Sequence, residues 1–278
     1  MYLFFFIEYY RVPTVQDFLD ILQQTTPEQL AEDWDNIGLL VGDPNQNIDR
    51  VLLALDPCHS LLDRARAGRY DLILTHHPPI FRALKAVRTD TPVGGFIAGA
   101  IRQGLSVIAC HTNLDAMEEG VSTVLATALG LTQSSPLVAT RTGCGNNSGL
   151  GRIGAYPTPL SAQDFLNRVR RACAPPWILE AGPRPSQVTT VAVCGGSCSD
   201  FSEIALHRKA DVFVTAEVKH SVARWAEDAG LWILDAGHFA TEQPVLAFFR
   251  DLLQQQCLQR GWKIAIDTAD QQSPLRLV

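Results

Sequence analysis

Hydrophobic residues are distributed along the chain in two alternating rhythms. Short, nearly unbroken apolar runs occupy 50–56 (Val51, Leu52, Leu53, Ala54, Leu55), 71–75, 105–110, 188–194, 211–215 and 231–235. Runs of this length without polar alternation are expected of parallel strands covered on both faces. Between them lie longer stretches with apolar residues three and four apart, as in Val15, Phe18, Leu19 and Leu22, which is helical spacing. Thr14 is placed to cap that helix (14–24), and further helices are predicted over 59–67, 93–103, 121–129, 159–173, 200–208, 219–229 and 243–260. Gly68, Gly104 and Gly130 stand where three of them should stop. A short helix at 27–31, a Gly-punctuated loop over 32–42 that runs into a strand, and strands beginning at 150 and at 263 complete the pattern. Strand–helix alternation of this kind is the mark of βαβ units and an α/β fold. Both halves use it, which raises a pseudo-duplicated architecture. The stretch 132–148, rich in Ser, Thr, Gly and Asn, reads as a domain boundary, and Pro-rich 174–186 as a loop.

Composition narrows the class. The chain has 278 residues and a formal net charge of −6, from 29 acidic and 23 basic side chains. That length allows one large or two modest domains with their own cores, and the acidic balance argues against a general nucleic-acid partner. The seven cysteines are odd in number and contain no C-x-x-C pair, as expected of reduced thiols in a cytoplasmic protein. The apolar start, residues 1–10, has no basic leader region and is too short to span a bilayer. It reads as an extra edge strand or the product of an upstream start, and carries no weight in the fold argument.

The chemistry sits where the apolar runs end. The run at 71–75 stops in His76-His77-Pro78-Pro79, where prolines prevent the strand from continuing and a fixed turn can aim both imidazoles at one place. Four of the seven histidines (His76, His77, His111, His238) directly follow predicted parallel strands, where open α/β sheets bind their ligands. His111 and His238 each have a carboxylate four residues on, Asp115 and Glu242, which a helix would stack on one face. Four imidazoles and two carboxylates exceed the three protein ligands of an open mononuclear zinc site and fit two divalent ions (Zn, Fe, Mn, Co or Ni). His59 reads as a helix N-terminal residue and His207 as a partner of a helix C-terminus.

Three weaker signals remain open. Gly195-Gly196-Ser197 lies between a strand and a helix N-terminus, which suits either a tight turn or a phosphate, although the Gly-Lys-Ser/Thr ending of a P-loop is absent. His220, beside Lys219, reads as a general acid, an outer hydrogen-bond donor or a surface residue. Trp34-Asp35-Asn36 reads as a structural aromatic anchor with an Asx turn.

Trp34-Asp35-Asn36-x-Gly38-Leu39-x-Val41-Gly42, Thr75-His76-His77-Pro78, His111-x-x-x-Asp115 and Gly237-His238-x-x-x-Glu242 together resemble the Nif-three-like family of dinuclear-metal proteins, the GTP cyclohydrolase I type 2 homologues. The resemblance spans residues 13–267 and, with no room for an inserted middle domain between 132 and 188, points to the short form. It implies two related α/β domains, 12–135 with 236–278 returning to complete the first, and 136–235 as the second. It implies metal ligands His76, His77, Asp115, His238 and Glu242, Glu242 best placed to bridge, with His111 a ligand or just behind the metals. It also implies a toroidal homohexamer, a trimer of dimers. The segment 215–220 departs from the Thr-Gly-Asp type of sequence found there in the family. The function so implied is a metal-dependent hydrolase, activating water with two metals against a nucleotide-like small molecule. The competing reading is a metal-binding scaffold or regulatory partner without catalysis.

Overall fold

A computed structural model describes residues 11–140 and 147–278. The apolar start and part of the expected boundary stretch therefore lie outside the described residues. The chain begins α1 (Val15–Thr25), β1 (Gly38–Val41), β2 (Arg50–Ala54), α2 (His59–Gly68), β3 (Leu72–Thr75), α3 (Pro92–Arg102), β4 (Ser106–Ala109), α4 (Thr112–Ala116) and α5 (Val121–Ala128). It continues β5 (Thr132–Ala139), β6 (Gly149–Ser161), α6 (Ala162–Cys173), β7 (Leu179–Ala181), β8 (Gln187–Val193), α7 (Ser202–His207), β9 (Val212–Thr215), α8 (His220–Ala229), β10 (Trp232–Asp235) and α9 (His238–Glu242). It closes with α10 (Val245–Gln259) and β11 (Ala265–Thr268).

These strands form two mixed sheets. The first has the order β1-β4-β3-β2-β11, parallel except for β1 at the edge. The second has the order β5-β6-β8-β9-β10-β7, parallel only through β8, β9 and β10. Each sheet is covered on both faces. Val51, Leu53, Leu72, Leu74 and Ile108 pack on one side of the first, and Leu52, Ala54, Ile73 and Val107 on the other. Successive residues of one strand therefore enter different cores, which is why the runs are apolar without alternation. α10 packs its Val245, Leu246, Phe249 and Leu253 into the first sheet's core, and β11 pairs with β2.

The local signals account for the element ends. Thr14 caps α1 reciprocally: its hydroxyl accepts from the Asp17 N–H while the Asp17 carboxylate accepts from the Thr14 N–H. Two expectations are corrected. The helix expected from residue 159 starts at Ala162, because Leu160 and Ser161 still pair with Val188 and Gln187 and Ser161 is the N-cap. The Pro-rich loop contains β7, a three-residue edge strand antiparallel to β10. The Ser/Thr-rich boundary stretch begins as β5, an edge strand half exposed to water, which its polar composition suits.

The duplication is visible in hydrogen bonds. Asp71, just before β3, accepts the N–H groups of Asp49 and Arg50 at the start of β2. Asp211, just before β9, accepts those of Thr189 and Thr190 in β8 in the same way. The residues ending the helices before these strands, Arg69 and Lys209, both have left-handed backbones, with φ of 52° and 64°. Thus β2-β3-β4-α4 corresponds to β8-β9-β10-α9, and each set carries an antiparallel edge strand beyond its third member, β1 or β7.

Candidate metal centre

The duplication explains where the histidines fall. His76 and His77 leave the carboxyl end of β3, and His111 follows β4 as the N-cap of α4. His238 opens α9, the counterpart of α4, so His111–Asp115 and His238–Glu242 are the same one-turn device used twice. The two carboxyl edges meet, and the His76 and His77 rings lie 4.9 Å apart by centroid, His76 and His111 5.2 Å, and His77 and His238 5.1 Å.

All four imidazoles are oriented alike. Nδ1 of His76 lies 2.9 Å from the Cys110 carbonyl oxygen, that of His77 2.8 Å from Asp56, that of His111 2.9 Å from Asp35 and that of His238 2.9 Å from Glu217. A carbonyl or carboxylate oxygen can only accept, so each Nδ1 carries the hydrogen and leaves the Nε2 lone pair free in the neutral ring. Three of those Nε2 atoms face the carboxylates of Glu242, which is buried, and Asp115, which is partly buried. His76 Nε2 is 3.7 Å from both Asp115 Oδ1 and Glu242 Oε1, His77 Nε2 is 3.2 Å from Glu242 Oε2, and His238 Nε2 is 3.1 Å from Glu242 Oε1. His76 Nε2, Asp115 Oδ1 and Glu242 Oε2 are buried and have no hydrogen-bond partner. Lone pairs facing carboxylates in a buried place need a cation between them. Two overlapping donor groups, His76–His77–His111 and His77–His238–Glu242, each bring their ligand atoms within 4.8 Å of one another. The residues present therefore fit a metal, with the carboxylate-to-imidazole support that ligating histidines ordinarily have.

Protonation in the metal-free protein answers the same field. Burial disfavours the His77 imidazolium, but the Asp56 and Glu242 carboxylates beside it outweigh that and push its pKa up to about 10. His238 likewise rises to about 9, burial being overcome by Glu242. Burial opposes the Glu242 anion too, yet the adjacent His238 and His76 rings hold it well below the usual carboxylate range. Asp115 goes the other way, raised by burial. Asp35, whose burial is outweighed by hydrogen bonds from His111 and Thr112, is held at about 2 and is thus a permanent anion behind His111.

The glycines of the 195–197 loop serve this centre from the second sheet. Gly196 has φ +73°, and a Cβ there would lie 2.2 Å from Glu242 Oε1 and 3.3 Å from His238 Nε2. The Gly195 and Gly196 N–H groups donate to the hydroxyls of Ser122 and Thr241, so these two donors turn inward rather than toward a phosphate. Gly195 and Ser197 line a cavity of about 490 Å³ that opens onto His77, His111, His238, Asp115 and Glu242. His220 is exposed at the start of α8 and does not line that cavity. His59 and His207 are exposed at the helix ends expected of them.

Comparison with known proteins now places the chain. A family model described as Duf34/NIF3 (NGG1p interacting factor 3) matches residues 13–274. The chain belongs to this family. Among its NIF3 relatives, a Streptomyces coelicolor protein named GTP cyclohydrolase 1 type 2 homolog is 32% identical over 258 residues, covering 92% of this chain and 90% of that one. A Clostridium perfringens protein of the same name is 30% identical over 232 residues, covering 84% and 88%. The crystal structure of a Bacillus cereus protein related to NIF3 superposes with a TM-score of 0.90, at 22% identity, over 96% of this chain and all of the other, and shows the same fold.

Sequence reading of this NIF3 chain overlooked the outer carboxylates. Asp56 and Glu217 lie two residues past the ends of β2 and β9, as His77 does past β3, close to the strand-end position that drew attention to the histidines. Asp35 accepts the Asn36 N–H at 2.8 Å, one residue on rather than the two of the expected Asx turn, and the same carboxylate also holds His111 and Thr112. Glu217 lies in the departing segment 215–220, with a left-handed backbone (φ 54°) at the place equivalent to His77.

Proposed function

We propose that this protein binds two divalent metal ions between the two sheets and uses them to hydrolyse a nucleotide-like small molecule. The observation that carries the proposal is the convergence of four Nδ1-anchored imidazoles around Glu242 and Asp115, with three buried donor atoms left unpaired. His76, His77 and His111 would hold one ion and His77, His238 and Glu242 its neighbour, with Asp115 beside His76. A bound pair of ions would supply Lewis acidity toward a carbonyl, imine or phosphoryl group and lower the pKa of water. The chain's own part is to fix the donors through Cys110, Asp56, Asp35 and Glu217 and to shape a cavity over them. An open cavity of about 490 Å³ supports catalysis over metal storage, which has no use for substrate-sized space. The relatives' name, GTP cyclohydrolase 1 type 2 homolog, supports a heterocyclic substrate.

Elemental analysis of purified protein, followed by a hydrolase screen with and without that metal, tests the reading. Glu242 neighbours three of the imidazoles, so Glu242→Gln, which keeps the shape and removes the charge, is expected to reduce about two metals per chain to one or none and to abolish hydrolysis. Two metals retained in the folded variant would sink it.

A further inference from the structure

The wall of the cavity carries information about its occupant that the metal donors do not. The mouth is aromatic: Trp34 is 59% exposed, Phe81 is 46% exposed, and their rings meet edge-on at 5.7 Å. Trp34 also stands 6.0 Å from the His111 ring, so its indole spans the distance between solvent and the metal donors. Leu150 and Phe201 extend the apolar lining on the side of the second sheet. A large exposed indole braced by two rings, beside buried ligating groups, is a stacking surface for another flat ring.

The charge of the wall is equally one-sided. Among the described residues the lining contains Glu32, Asp115, Asp200 and Glu242 and no Lys or Arg. Lys219, which approaches the mouth, is engaged by both oxygens of Asp200 at 2.7 Å. Two divalent ions do not reverse this sign. Their four positive charges face five carboxylates, Asp35, Asp56, Asp115, Glu217 and Glu242, all within the cluster or hydrogen-bonded to its histidines. Recognition of phosphate elsewhere uses Arg forks, Lys or free backbone N–H groups, and the N–H groups of Gly195 and Gly196 already have hydroxyl partners. Among the described residues this wall offers a triphosphate no cationic side chain.

We propose that the cavity selects a planar nitrogen heterocycle without a phosphate tail, a free base or nucleoside, stacked on Trp34 with one ring edge toward the histidine cluster. The proposal rests on the preceding reading for the reaction but not for the binding, and the two fail separately.

Guanosine, GMP, GTP and inorganic tripolyphosphate serve as probes of the metal-loaded full-length chain, with binding followed by calorimetry and by quenching of tryptophan emission. Guanosine should bind at least as tightly as GTP, and tripolyphosphate should not displace it. Trp34→Leu should weaken guanosine at least tenfold and remove most of the quenching, with metal content unchanged. Phe81→Ala should weaken it to a smaller extent. GTP binding more than tenfold tighter than guanosine, displacement by tripolyphosphate, absence of guanosine binding, or full affinity in Trp34→Leu would each overturn the proposal. Guanosine bound but never hydrolysed would instead remove the hydrolase reading and leave the ring specificity standing.

Discussion

Glu242 and the imidazoles around it set the chemistry of the centre one proton at a time. In the metal-free protein His77 and His238 titrate near 10 and 9, because Glu242 attracts a proton where a metal would otherwise be. Metal takes the neutral imidazole, so protons compete with it below those values. Affinity should therefore climb as pH rises through neutrality toward about 9 to 10, rather than level off near the ordinary imidazole value of about 6.5. Loading at neutral pH should release protons into a weakly buffered dye solution. A flat affinity profile above pH 7 would contradict this. Gly196 works at the same scale. Its positive φ and the 2.2 Å approach of any Cβ to Glu242 Oε1 leave no room for a side chain. Gly196→Ala should displace the Glu242 carboxylate and reduce metal content at neutral pH, read by elemental analysis, while circular dichroism shows the fold retained.

At the scale of elements, the recurring unit is a strand end followed by one turn of helix. α4 and α9 each span five residues, too short to be stable alone, so tertiary contacts hold them. For α4, Asp35 supplies that hold by accepting both the Thr112 N–H and the His111 ring N–H. Asp35→Asn keeps the size but can offer His111 only a neutral oxygen. Loss of such support ordinarily costs 10- to 100-fold in metal affinity, and a drop on that order is expected by competition with a chromogenic chelator. The sequence made the histidines legible because each interrupts an apolar run at its carboxyl end, where parallel strands deliver side chains to a common edge. The helical pairs were legible through their four-residue spacing. Asp35, Asp56 and Glu217 were not, since a lone carboxylate after a strand is indistinguishable from a solvated one until the imidazole it faces is in place. β7 was hidden for a related reason: three residues, two of them exposed, leave no periodicity to read. The start of α6 was misplaced because Pro159 suggested a first helical turn, whereas pairing with β8 carries the strand two residues further.

At the scale of the whole molecule, the two sheets are joined by more than covalent connection. Arg152 of β6 is buried and donates to the carbonyls of Met117 and Glu118, at the turn between α4 and α5, as well as to Gly149 and Gly151. Burial lowers its pKa to about 10, still charged at neutrality. α10 and β11, which follow the second sheet in sequence, belong to the core and the edge of the first. Among the described residues no helix is long and apolar enough to cross a membrane, and the six described cysteines are free, so no disulfide ties the halves together.

The proposed metal donors are drawn from both sheets, four from the ends of β3 and β4 and two from the end of β10. That division has a thermodynamic consequence. A metal pair gripped from both sides, as proposed, would act as a reversible crosslink, and neither half could melt without first giving it up. Free metal at a hundredfold excess over its dissociation constant would add about 2.7 kcal/mol to the native state. That increment would be shared by both halves. Calorimetry should therefore show one sharp, raised transition in the loaded protein and a lower, broader or split one after chelation. Two melts of the same midpoint and width would mean that the metal is held by one sheet alone.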